Sequence, residues 1–472
     1  MSKIIATIGP VTQNKKSIKK LCDLGVKIFR LNLSHNSIKW HEKVINNIRE
    51  VSPSSSILAD IPGRKIRTTS NVSNERFKKG QKIYLVSEDC NKNYLKSIYT
   101  YEINNKILFD LVKKGMDIYA DDGRLSFCIE DVCEKYIILL TKCEGILREC
   151  KGINVPRSRF LDDELNDKDK FFLDFCCLNK IDFVGISFVD KAGYLKNIQS
   201  YIGESSPKTI AKIENASAIK NLSQILKISD AIMIDRGDLS VETNTSSIGI
   251  LQKDILLEAS KYGVPVIVAT EILHSMHESI HPTKAECNDI TNSVLDGASC
   301  LMLSGETAVG ENPNESIKTM KSIIELTQKY IINKNLIPFE SKEKVQSTQA
   351  DIMAASASLI ALSTISKGLV CITKTGEGVR FLSKYINNDF YCVTDSKETL
   401  RYLNIFKNVK PILSNVVFNK KDRNHIYAIA RQLIDNGWNP DDLYTFIYVS
   451  EGGKGLRLNT IQLNYLKSLA GF

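Results

Sequence analysis

The stretch from Ser56 to Thr68, SILADIPGRKIRT, decides how the chain is organised. It starts as a short apolar run typical of a buried strand and continues through an acidic residue and a Pro-Gly turn into three cations. The same arrangement returns at residues 209–214, TIAKIE, and at residues 231–238, AIMIDRGD. Short strands that end in charged residues favour a barrel enzyme, because the carboxyl ends of the strands in a (β/α)8 barrel meet at one mouth.

Eight short apolar runs alternate with segments of helical periodicity such as Ser17–Leu24, Asp254–Tyr262 and Ser316–Lys329. The runs are Ile4–Ile8, Lys27–Leu33, Ser56–Ile61, Asp182–Phe188, Thr209–Ile213, Ala231–Ile234, Val264–Ala269 and Cys300–Leu303. This alternation predicts an α/β protein whose first domain is a (β/α)8 TIM barrel. We assign residues 1–68 and 157–335 to it.

A long insertion interrupts the alternation between the third and fourth runs. Residues 69–156 contain strand-like patterns such as Gln81–Val86 and Tyr136–Leu140. Because a structureless loop of this length is rare inside a barrel, the insertion predicts a separate small β-barrel domain. Such a domain would stand on the loop face of the barrel, where it could act as a lid over the site.

A third domain follows the eighth unit. A polar segment, Asn333–Ser347, is typical of a linker, and residues 345–472 have the pattern of an open α/β domain. The predicted elements are a helix at Asp351–Thr364, a strand at Leu369–Thr373, a helix at Gly378–Ile386, and strands at Phe390–Val393 and Thr445–Val449.

Composition narrows the class of protein further. The 472 residues are 43% hydrophobic, and no apolar run is long enough for a signal peptide or a membrane span. We therefore expect a cytoplasmic protein, with import into an organelle left open. The net charge of +9 comes from scattered lysines without aromatic interleaving, which argues against nucleic-acid binding. Twelve cysteines without a Cys-x-x-Cys pair predict reduced, mostly buried thiols.

Polar residues stand at or just beyond the carboxyl ends of the strand-like runs. Any single pair of this kind is more often a surface salt bridge, but their presence at several ends favours a shared site. The residues are Thr7, Arg30, Asn32, Ser34, Asp60, Lys65, Arg67, Lys212, Glu214, Arg236, Asp238, Thr270 and Glu306.

Glu214 and Asp238 are the best candidates for metal ligands, because hard divalent ions such as Mg2+ take carboxylate oxygens. The rival is a histidine cluster, His274, His277 and His281, whose spacing imitates a zinc site but which lies in a loop beside a proline.

Positive charge around the transferring group is the main requirement of phosphoryl transfer, and Arg30, Lys65, Arg67 and Lys212 are the residue types that supply it. Neither a P-loop motif nor a Gly-x-Gly-x-x-Gly fingerprint with a following acidic residue occurs. The sequence therefore predicts a phosphoryl-transfer enzyme that holds its nucleotide by another route.

Eight motifs in chain order resemble those of pyruvate kinase. They are Ala6–Pro10, Arg30–His35, Asp121–Gly123, Lys151–Pro156, Ala211–Asn215, Asp235–Leu239, Pro282–Glu286 and Ser304–Ala308. The resemblance covers nearly the whole chain, is highly specific over the barrel and the insertion, and is weaker over the third domain. The first strand begins close to the first residue, as in the short, bacterial-type form without an N-terminal extension.

The resemblance implies phosphoryl transfer from phosphoenolpyruvate to ADP, giving pyruvate and ATP in glycolysis. It implies that Lys212 neutralises charge on the transferring group and that Arg30 grips the phosphate. Glu214 and Asp238 would hold Mg2+, with Mn2+ as a substitute. The resemblance also implies that Gly237 and Thr283 hold the substrate carboxylate, with Asp238 beside them and Thr283 near the path that protonates the enolate carbon.

The same resemblance assigns nucleotide contacts to Asn32, His35, Arg67 and Lys151, with Lys151 at the hinge of the lid. Many family members have glutamate at position 65 and need K+, whereas those with lysine look independent of it. Lys65 therefore predicts activity without K+, because a tethered ammonium can replace a bound monovalent cation. Ile61 and Pro62 agree with this prediction, although Asn32, Ser34 and Asp60, the side chains of the K+ site, are retained.

Three departures from the family pattern add carboxylates near the phosphate site: Asp190, Asp235 and Glu271. Carboxylates there would oppose anion binding unless they are paired, for which Lys191 and Arg236 are the nearest candidates in sequence.

The resemblance also implies a sugar-phosphate effector site in the third domain and a homotetramer. The effector contacts would be Thr373, Lys374, Thr375, Gly376 and Lys454, at a strand-to-helix turn suited to phosphate.

Two other functions stay open from the sequence. One is a catalytically weak paralogue that acts as a metabolite sensor or assembly partner. The other is a Mg2+-dependent aldolase or lyase, against which the inserted lid argues.

Overall fold

The computed structural model describes residues 1–63, 66–87, 90, 98–121, 123–155, 164–203, 207–334, 348–362, 365–418, 424–448 and 459–471. The strands are β1 (Lys3–Thr7), β2 (Ile28–Asn32), β3 (Ser56–Ile61), β4 (Ile66–Val72), β5 (Lys82–Val86), β6 (Thr100–Ile103), β7 (Asp117–Ala120), β8 (Leu125–Val132), β9 (Tyr136–Thr141), β10 (Gly152–Asn154), β11 (Phe183–Ile186), β12 (Lys208–Ile213), β13 (Ala231–Asp235), β14 (Val266–Ala269), β15 (Cys300–Leu303), β16 (Leu369–Ile372), β17 (Phe390–Thr394), β18 (Val409–Leu413), β19 (Leu443–Tyr448) and β20 (Thr460–Tyr465).

The helices are α1 (Lys15–Asp23), α2 (Ile38–Val51), α3 (Ile107–Leu111), α4 (Asp167–Leu178), α5 (Ala192–Ile202), α6 (Ala216–Lys220), α7 (Leu222–Ile228), α8 (Arg236–Glu242), α9 (Ile248–Tyr262), α10 (Lys284–Leu295), α11 (Gly305–Ala308), α12 (Pro313–Asn333), α13 (Gln349–Leu362), α14 (Glu377–Tyr385), α15 (Lys397–Leu403), α16 (Asn424–Asp435) and α17 (Leu466–Ala470). Short 3-10 turns lie at Thr245–Ser247 and His274–His277.

Eight parallel strands close the barrel that the sequence predicts, in the order β1-β15-β14-β13-β12-β11-β3-β2. The register pairs Asn32 with Asp60 on β2 and β3, and Lys212 with Met233 on β12 and β13. Because all eight strands run in the same direction, their carboxyl ends open at one mouth. The (β/α)8 prediction is confirmed.

Side chains that alternate along the strands build two layers of core. Ile57 and Ala211 face outward and pack among the surrounding helices, whereas Leu58 and Ile210 fill the barrel interior, and all four are fully buried. Apolar residues are therefore needed on both faces of each strand. This is why the strands read as nearly continuous apolar runs.

The insertion forms a second closed barrel of seven strands, in the order β10-β4-β6-β5-β9-β8-β7. Its core contains the buried rings of Phe77 and Phe127, whose centroids lie 5.7 Å apart. It approaches the large barrel at α8, where a Cβ on Gly123 would lie 3.1 Å from Val241 Cγ2. Asn154 Nδ2 also donates to Glu242 Oε1 at 3.4 Å. The small barrel thus stands at the mouth, as a lid would.

The third domain is a five-stranded sheet in the order β18-β17-β16-β19-β20, and only β20 runs antiparallel to its neighbour within it. The open α/β prediction is confirmed. Sequence reasoning missed β18, which contains Pro411 and a lysine, and the largely polar β20. The boundaries 1–68, 69–156, 157–335 and 345–472 stay predictions, and residues 335–347 of the predicted linker lie outside the described residues.

The third domain packs against the amino-terminal end of the large barrel. Ser56 Oγ, at the start of β3, donates to the carbonyl of Arg401 at 2.6 Å. Asp182, just before β11, accepts from Arg401 Nε at 2.5 Å and from Arg49 Nη2 at 2.8 Å. The mouth and the third domain therefore lie at opposite ends of the barrel.

Two expectations from composition can be compared with the fold. All twelve cysteines are free, but only Cys176, Cys300, Cys371 and Cys392 are buried, so the prediction of mostly buried thiols is wrong. Within the described ranges, the chain has no helix with the length and apolar character that a membrane crossing requires.

Candidate active site

Lys212 lies at the centre of the barrel mouth, on β12, and is only 5% exposed. Its Nζ lies 2.7 Å from Glu214 Oε1, 3.2 Å from Asp235 Oδ2 and 3.4 Å from Asp60 Oδ1. Burial alone would lower the pKa of this ammonium group. The surrounding carboxylates, Asp60 first, outweigh burial and raise the pKa well above its usual value. Lys212 is therefore held as a permanent cation.

Three carboxylates gather beside Lys212. One oxygen from each of Glu214, Asp235 and Asp238 lies within 4.8 Å of the other two. Glu214 is fully buried, and its Oε2 accepts from the Phe188 N–H at 2.6 Å. Its Oε1 lies 2.7 Å from Lys212 Nζ. Burial raises the pKa of Glu214, which a nearby divalent cation would counteract.

Asp60 joins the two cations of the site. Its Oδ2 accepts from Arg30 Nη2 at 2.6 Å and from Arg30 Nε at 3.1 Å, while its Oδ1 faces Lys212. Arg30 Nη1 also donates to Thr7 Oγ1 at 3.3 Å. Arg30 and Asp60 are both buried. A charged network of this kind fixes the side chains before any ligand arrives.

At the end of β13 the consecutive side chains of Asp235 and Arg236 contact different groups. Asp235 faces Lys212, whereas Arg236 turns away to Asp289, with Nη1 at 2.7 Å from the carboxylate, and to the Thr270 carbonyl at 2.7 Å. Asp235 therefore pairs with Lys212, and Arg236 pairs with Asp289. The Gly237 N–H donates to Thr270 Oγ1 at 2.9 Å.

Thr283 caps the amino terminus of α10 through a reciprocal capping box with Glu286. Thr283 is exposed, and its hydroxyl lies 2.9 Å from Glu286 Oε2. Ser275 donates to the same carboxylate from its N–H at 2.7 Å and its hydroxyl at 2.6 Å. These contacts fix the loop in front of α10.

The predicted nucleotide contacts lie on both sides of the junction between the two barrels. Asn32 Oδ1 accepts from the Ser34 N–H at 3.1 Å, and His35 lies on the surface just beyond. Partial desolvation of the imidazole lowers the pKa of His35, and the positive charges of Arg67 and Arg30 lower it further. A cation of the lid and one of the large barrel therefore act on the same imidazole.

Lys151 and Arg67 lie on adjacent segments where the lid joins the large barrel. The Thr68 N–H donates to the Lys151 carbonyl at 2.9 Å, and Lys151 Nζ pairs with Asp121 at 2.6 Å. Arg67 Nη1 donates to the Cys150 carbonyl at 3.1 Å. Both cations are only partly buried, so a ligand at the junction could reach them.

Comparison with known proteins decides the family. The family model described as "Pyruvate kinase, barrel domain" matches residues 1–317. The chain belongs to the pyruvate kinase family. Pyruvate kinase 2 of Synechocystis sp. is 34% identical over 427 residues, which are 87% of this chain and 70% of that protein. Pyruvate kinase of Thermococcus litoralis is 32% identical over 433 residues, 89% of this chain and 90% of that protein.

A third relative, pyruvate kinase of Staphylococcus aureus, is 32% identical over 429 residues, 87% of this chain and 71% of that protein. Membership of the pyruvate kinase family makes the chain a phosphotransferase. The resemblance drawn from the eight motifs is confirmed, and the buried Lys212 group lies at the carboxyl-terminal face of the barrel, where barrel enzymes have their active sites.

The turn to which the pyruvate kinase resemblance assigns effector binding, here called the effector turn, lies between β16 and α14. Thr373 Oγ1 accepts from the Gly376 N–H at 2.9 Å, and the Lys374 carbonyl accepts from Thr399 Oγ1 at 2.7 Å. Gly376 has φ of +80°, and a Cβ there would lie 2.8 Å from the Tyr402 ring. The turn is therefore tightly built and admits only glycine at position 376.

Two predicted site residues, Lys65 and Lys454, lie outside the described residues. The histidine alternative finds no support in the described part of the chain. His274 and His277 have ring centroids 5.1 Å apart, but the acidic group of Glu214, Asp235 and Asp238 is the only cluster there with metal-ligand geometry. Asp235 was missed as a member of that group. Its i, i+3 spacing from Asp238 at a strand end is the sequence signal that could have revealed it.

Proposed function

We propose that the chain transfers a phosphoryl group from phosphoenolpyruvate to ADP, giving pyruvate and ATP as a Mg2+-dependent glycolytic enzyme. The observation that carries this proposal is the buried Lys212 ammonium, ion-paired with Asp60, Glu214 and Asp235 at the barrel mouth. A cation fixed in this way needs no reorganisation when negative charge develops beside it.

The acidic residues suit a divalent ion. Glu214 is fully buried, and one of its oxygens lies within 4.8 Å of an oxygen of Asp238. Both are carboxylates, the ligand type that Mg2+ and Mn2+ prefer. Glu214 and Asp238 would hold the ion, which when bound supplies charge neutralisation at the phosphoryl oxygens.

The cations of the mouth bind and orient the substrate. Arg30, buried and held by Asp60, grips the phosphate, while Lys212 neutralises the transferring group and the enolate oxygen. The Gly237 N–H and Thr283 bind the carboxylate. The Gly237 N–H donates to Thr270 Oγ1 in this structure, and it exchanges this acceptor for the substrate carboxylate. Thr283 then lies on the proton path to the enolate carbon.

The nucleotide binds at the junction of the two barrels. Asn32 and His35 contact it from the large barrel, and Arg67 and Lys151 from the lid side. Because Lys151 and Arg67 flank the connection to the lid, closure of the lid brings positive charge to the nucleotide phosphates and excludes water. Asp121, which now pairs with Lys151, releases it to the phosphates in this step.

Activity without K+ is the second part of the proposal. Of the side chains that retain the K+ pattern, Asn32 Oδ1 already accepts from Ser34, and Asp60 already pairs with Arg30 and Lys212. Two of the three side chains that would ligate a monovalent ion are thus engaged by protein groups. The ammonium of Lys65 takes over the charge of that ion.

We further propose that the chain is a cytoplasmic homotetramer and binds a phosphorylated effector at its third domain. The Thr373–Gly376 turn supports the effector, because it leads into the amino terminus of α14, and the N–H groups at a helix amino terminus can bind an anion. Lys374 and Lys454 would supply its cationic contacts.

The test is a lactate-dehydrogenase-coupled assay of purified protein with phosphoenolpyruvate, ADP and Mg2+ in buffer free of Na+ and K+. Pyruvate formation in that buffer is the expected result. Activity only after K+ is added would leave the kinase assignment and contradict the proposal for Lys65. Absence of activity in both buffers would contradict the proposed reaction and favour the metabolite-sensor alternative.

A further inference from the structure

His41 is a buried histidine of α2 that the proposed reaction does not use. It is 1% exposed, and its Nε2 lies 2.7 Å from the His35 carbonyl oxygen. Because a carbonyl oxygen can only accept, Nε2 carries the proton and donates. The other ring nitrogen, Nδ1, has no hydrogen-bond partner among the described residues. The hydrogen bond to His35 therefore sets the orientation of the ring.

Packing alone does not account for a histidine at this position. An apolar side chain would fill the same volume without burying a nitrogen that lacks a partner. Burial lowers the pKa of His41 by more than the hydrogen bond to the His35 carbonyl raises it. The ring is therefore neutral at neutral pH, and its single proton is the one on Nε2.

Capping of α2 does not account for His41 either. Ser37 is the N-cap, and its Oγ accepts from the Trp40 N–H at 3.3 Å. The His41 N–H donates to the Ser37 carbonyl at 3.1 Å, which is a backbone contact that any side chain at position 41 would allow. The imidazole thus adds a contact to the turn that precedes the helix.

This turn carries the proposed nucleotide contacts of the large barrel. The His35 N–H donates to the Asn32 carbonyl at 3.2 Å, and Asn36 has φ of +63°. Left-handed backbone is uncommon outside glycine, although asparagine adopts it more readily than most residues, so the turn depends on contacts that hold it. The His35 carbonyl is directed inward to His41, while the His35 side chain is exposed. Fixing the carbonyl therefore fixes the position from which the side chain meets a ligand.

We propose that His41 is a positioning residue for the nucleotide, whose Nε2–H holds the turn of residues 32–36 in the conformation that presents Asn32 and His35 to ADP. The inference rests on the proposed function and adds a residue behind its nucleotide contacts. Because the turn is ordered before the ligand arrives, ADP binding does not bear the entropic cost of ordering it.

The effect should be confined to the nucleotide. Phosphoenolpyruvate would be bound by Arg30 and Lys212, and both cations are held by Asp60 on β3. These ion pairs do not involve α2. Loss of the His41 donor should therefore weaken ADP binding and leave phosphoenolpyruvate binding unchanged.

The test measures KM for both substrates in the coupled assay and Kd for ADP by isothermal titration calorimetry. His41→Met removes the donor, so we expect KM and Kd for ADP to rise by about 3- to 10-fold, the effect of one lost hydrogen bond, with KM for phosphoenolpyruvate within about twofold of the wild type. His41→Gln has the same length and keeps an N–H donor, so it should bring both ADP constants back to within about twofold.

The matched control is Asn47→Leu on the same helix. Asn47 Nδ2 donates to the Gln13 carbonyl at 3.1 Å, so this variant also removes a side-chain hydrogen bond from α2 to a loop carbonyl, outside the nucleotide turn. It should lower the melting temperature, as His41→Met does, and leave both ADP constants unchanged.

Equal ADP constants in His41→Met and His41→Gln would overturn the inference, because the donor would then make no difference. So would an equal rise of KM for both substrates, or the same loss of ADP affinity in Asn47→Leu. Thermal unfolding checks the fold, and His41→Phe, which keeps a ring without a donor, decides the test if the methionine variant does not fold. Turnover and ADP binding of the wild type are measured first, so failure of the proposed function is recognised separately.

Discussion

Lys212 is the residue whose surroundings are most specific to charge neutralisation. Replacement by methionine keeps the length of the side chain but leaves Asp60, Glu214 and Asp235 without their shared cation. We expect Lys212→Met to lower kcat in the coupled assay by about 10²- to 10³-fold, because a preorganised charge at the reacting group is lost. The matched control is Lys208→Met at the other end of β12, where Nζ lies 3.6 Å from Asp230 and 5.6 Å from the centre of the Tyr402 ring, away from the mouth.

Activity of Lys212→Met within about tenfold of the wild type would contradict the role assigned to this residue. Lys208→Met should retain nearly full activity. A similar loss in both variants would point to damage of the strand and not to lost chemistry.

Lys65 is the residue expected to make the enzyme independent of K+. Lys65→Glu exchanges the proposed tethered cation for an anion, so the variant should be nearly inactive in K+-free buffer and recover as K+ is added. The rate is measured against K+ concentration at constant ionic strength, with Lys79→Glu, an exposed lysine of the lid, as the control. A flat K+ response in Lys65→Glu would contradict the tethered-cation argument.

Strand-end chemistry could be predicted from the sequence, but the direction of each side chain could not. Lys212 lies on β12 and Glu214 directly follows the end of this strand, so alternation over two residues sends both to the same face. Asp235 is the last residue of β13 and Arg236 is the first residue of α8, so the side-chain period changes from that of a strand to that of a helix between them. The neighbour that matters there, Asp289 for Arg236, is far away in the chain and is known only from the fold.

At the scale of elements, one ion pair joins α13 and α14. Lys384 Nζ lies 2.7 Å from Asp351 Oδ1, and Asp351 Oδ2 accepts from Thr348 Oγ1 at 2.7 Å. Burial alone would raise the pKa of Asp351, but the hydrogen bonds from Lys384 and Thr348 outweigh it and lower the pKa. The carboxylate therefore stabilises the fold at pH above its unfolded pKa, and this contribution disappears as the pH falls through the lower folded value.

Asp351→Asn should lower the free energy of unfolding by about 1–2 kcal/mol at neutral pH. The difference from the wild type should shrink below about pH 4, where the wild type becomes protonated as well. Thermal unfolding of both proteins between neutral and acidic pH measures it. A difference that is independent of pH down to the acid limit would show that Asp351 acts through packing and not through its charge.

The element order was predictable because apolar runs on both faces of parallel strands are unmistakable, as in β3 and β13. The edge strand β20, with the burial pattern of a half-exposed strand, carries no such run. β18 is exposed at Lys410 and includes Pro411. Weak patterns at sheet edges explain why the third domain was predicted less completely than the barrel.

At the scale of the whole molecule, the two functional ends of the large barrel are separated. The lid covers the mouth, and the third domain covers the opposite end, where Arg401 and Asp182 form the bridge. The same helix that carries Arg401, α15, also carries Thr399, whose hydroxyl donates to the Lys374 carbonyl in the effector turn. An effector at this turn would therefore act on the barrel through α15, from the amino-terminal end of the barrel strands.

The proposed tetramer requires surfaces that the single chain leaves uncovered. Helix α13 exposes Ile352 at 57%, Leu359 at 73% and Leu362 at 55%, an apolar face too large to be explained by scattered surface residues. Leu359→Asp would place a charge in that face, so we expect it to shift the protein towards smaller species in light scattering coupled to size-exclusion chromatography. The control is Leu178→Asp on α4, an equally exposed leucine at 82% in the large barrel. If Leu359→Asp keeps the wild-type mass, or if both variants dissociate alike, α13 is not the assembly surface.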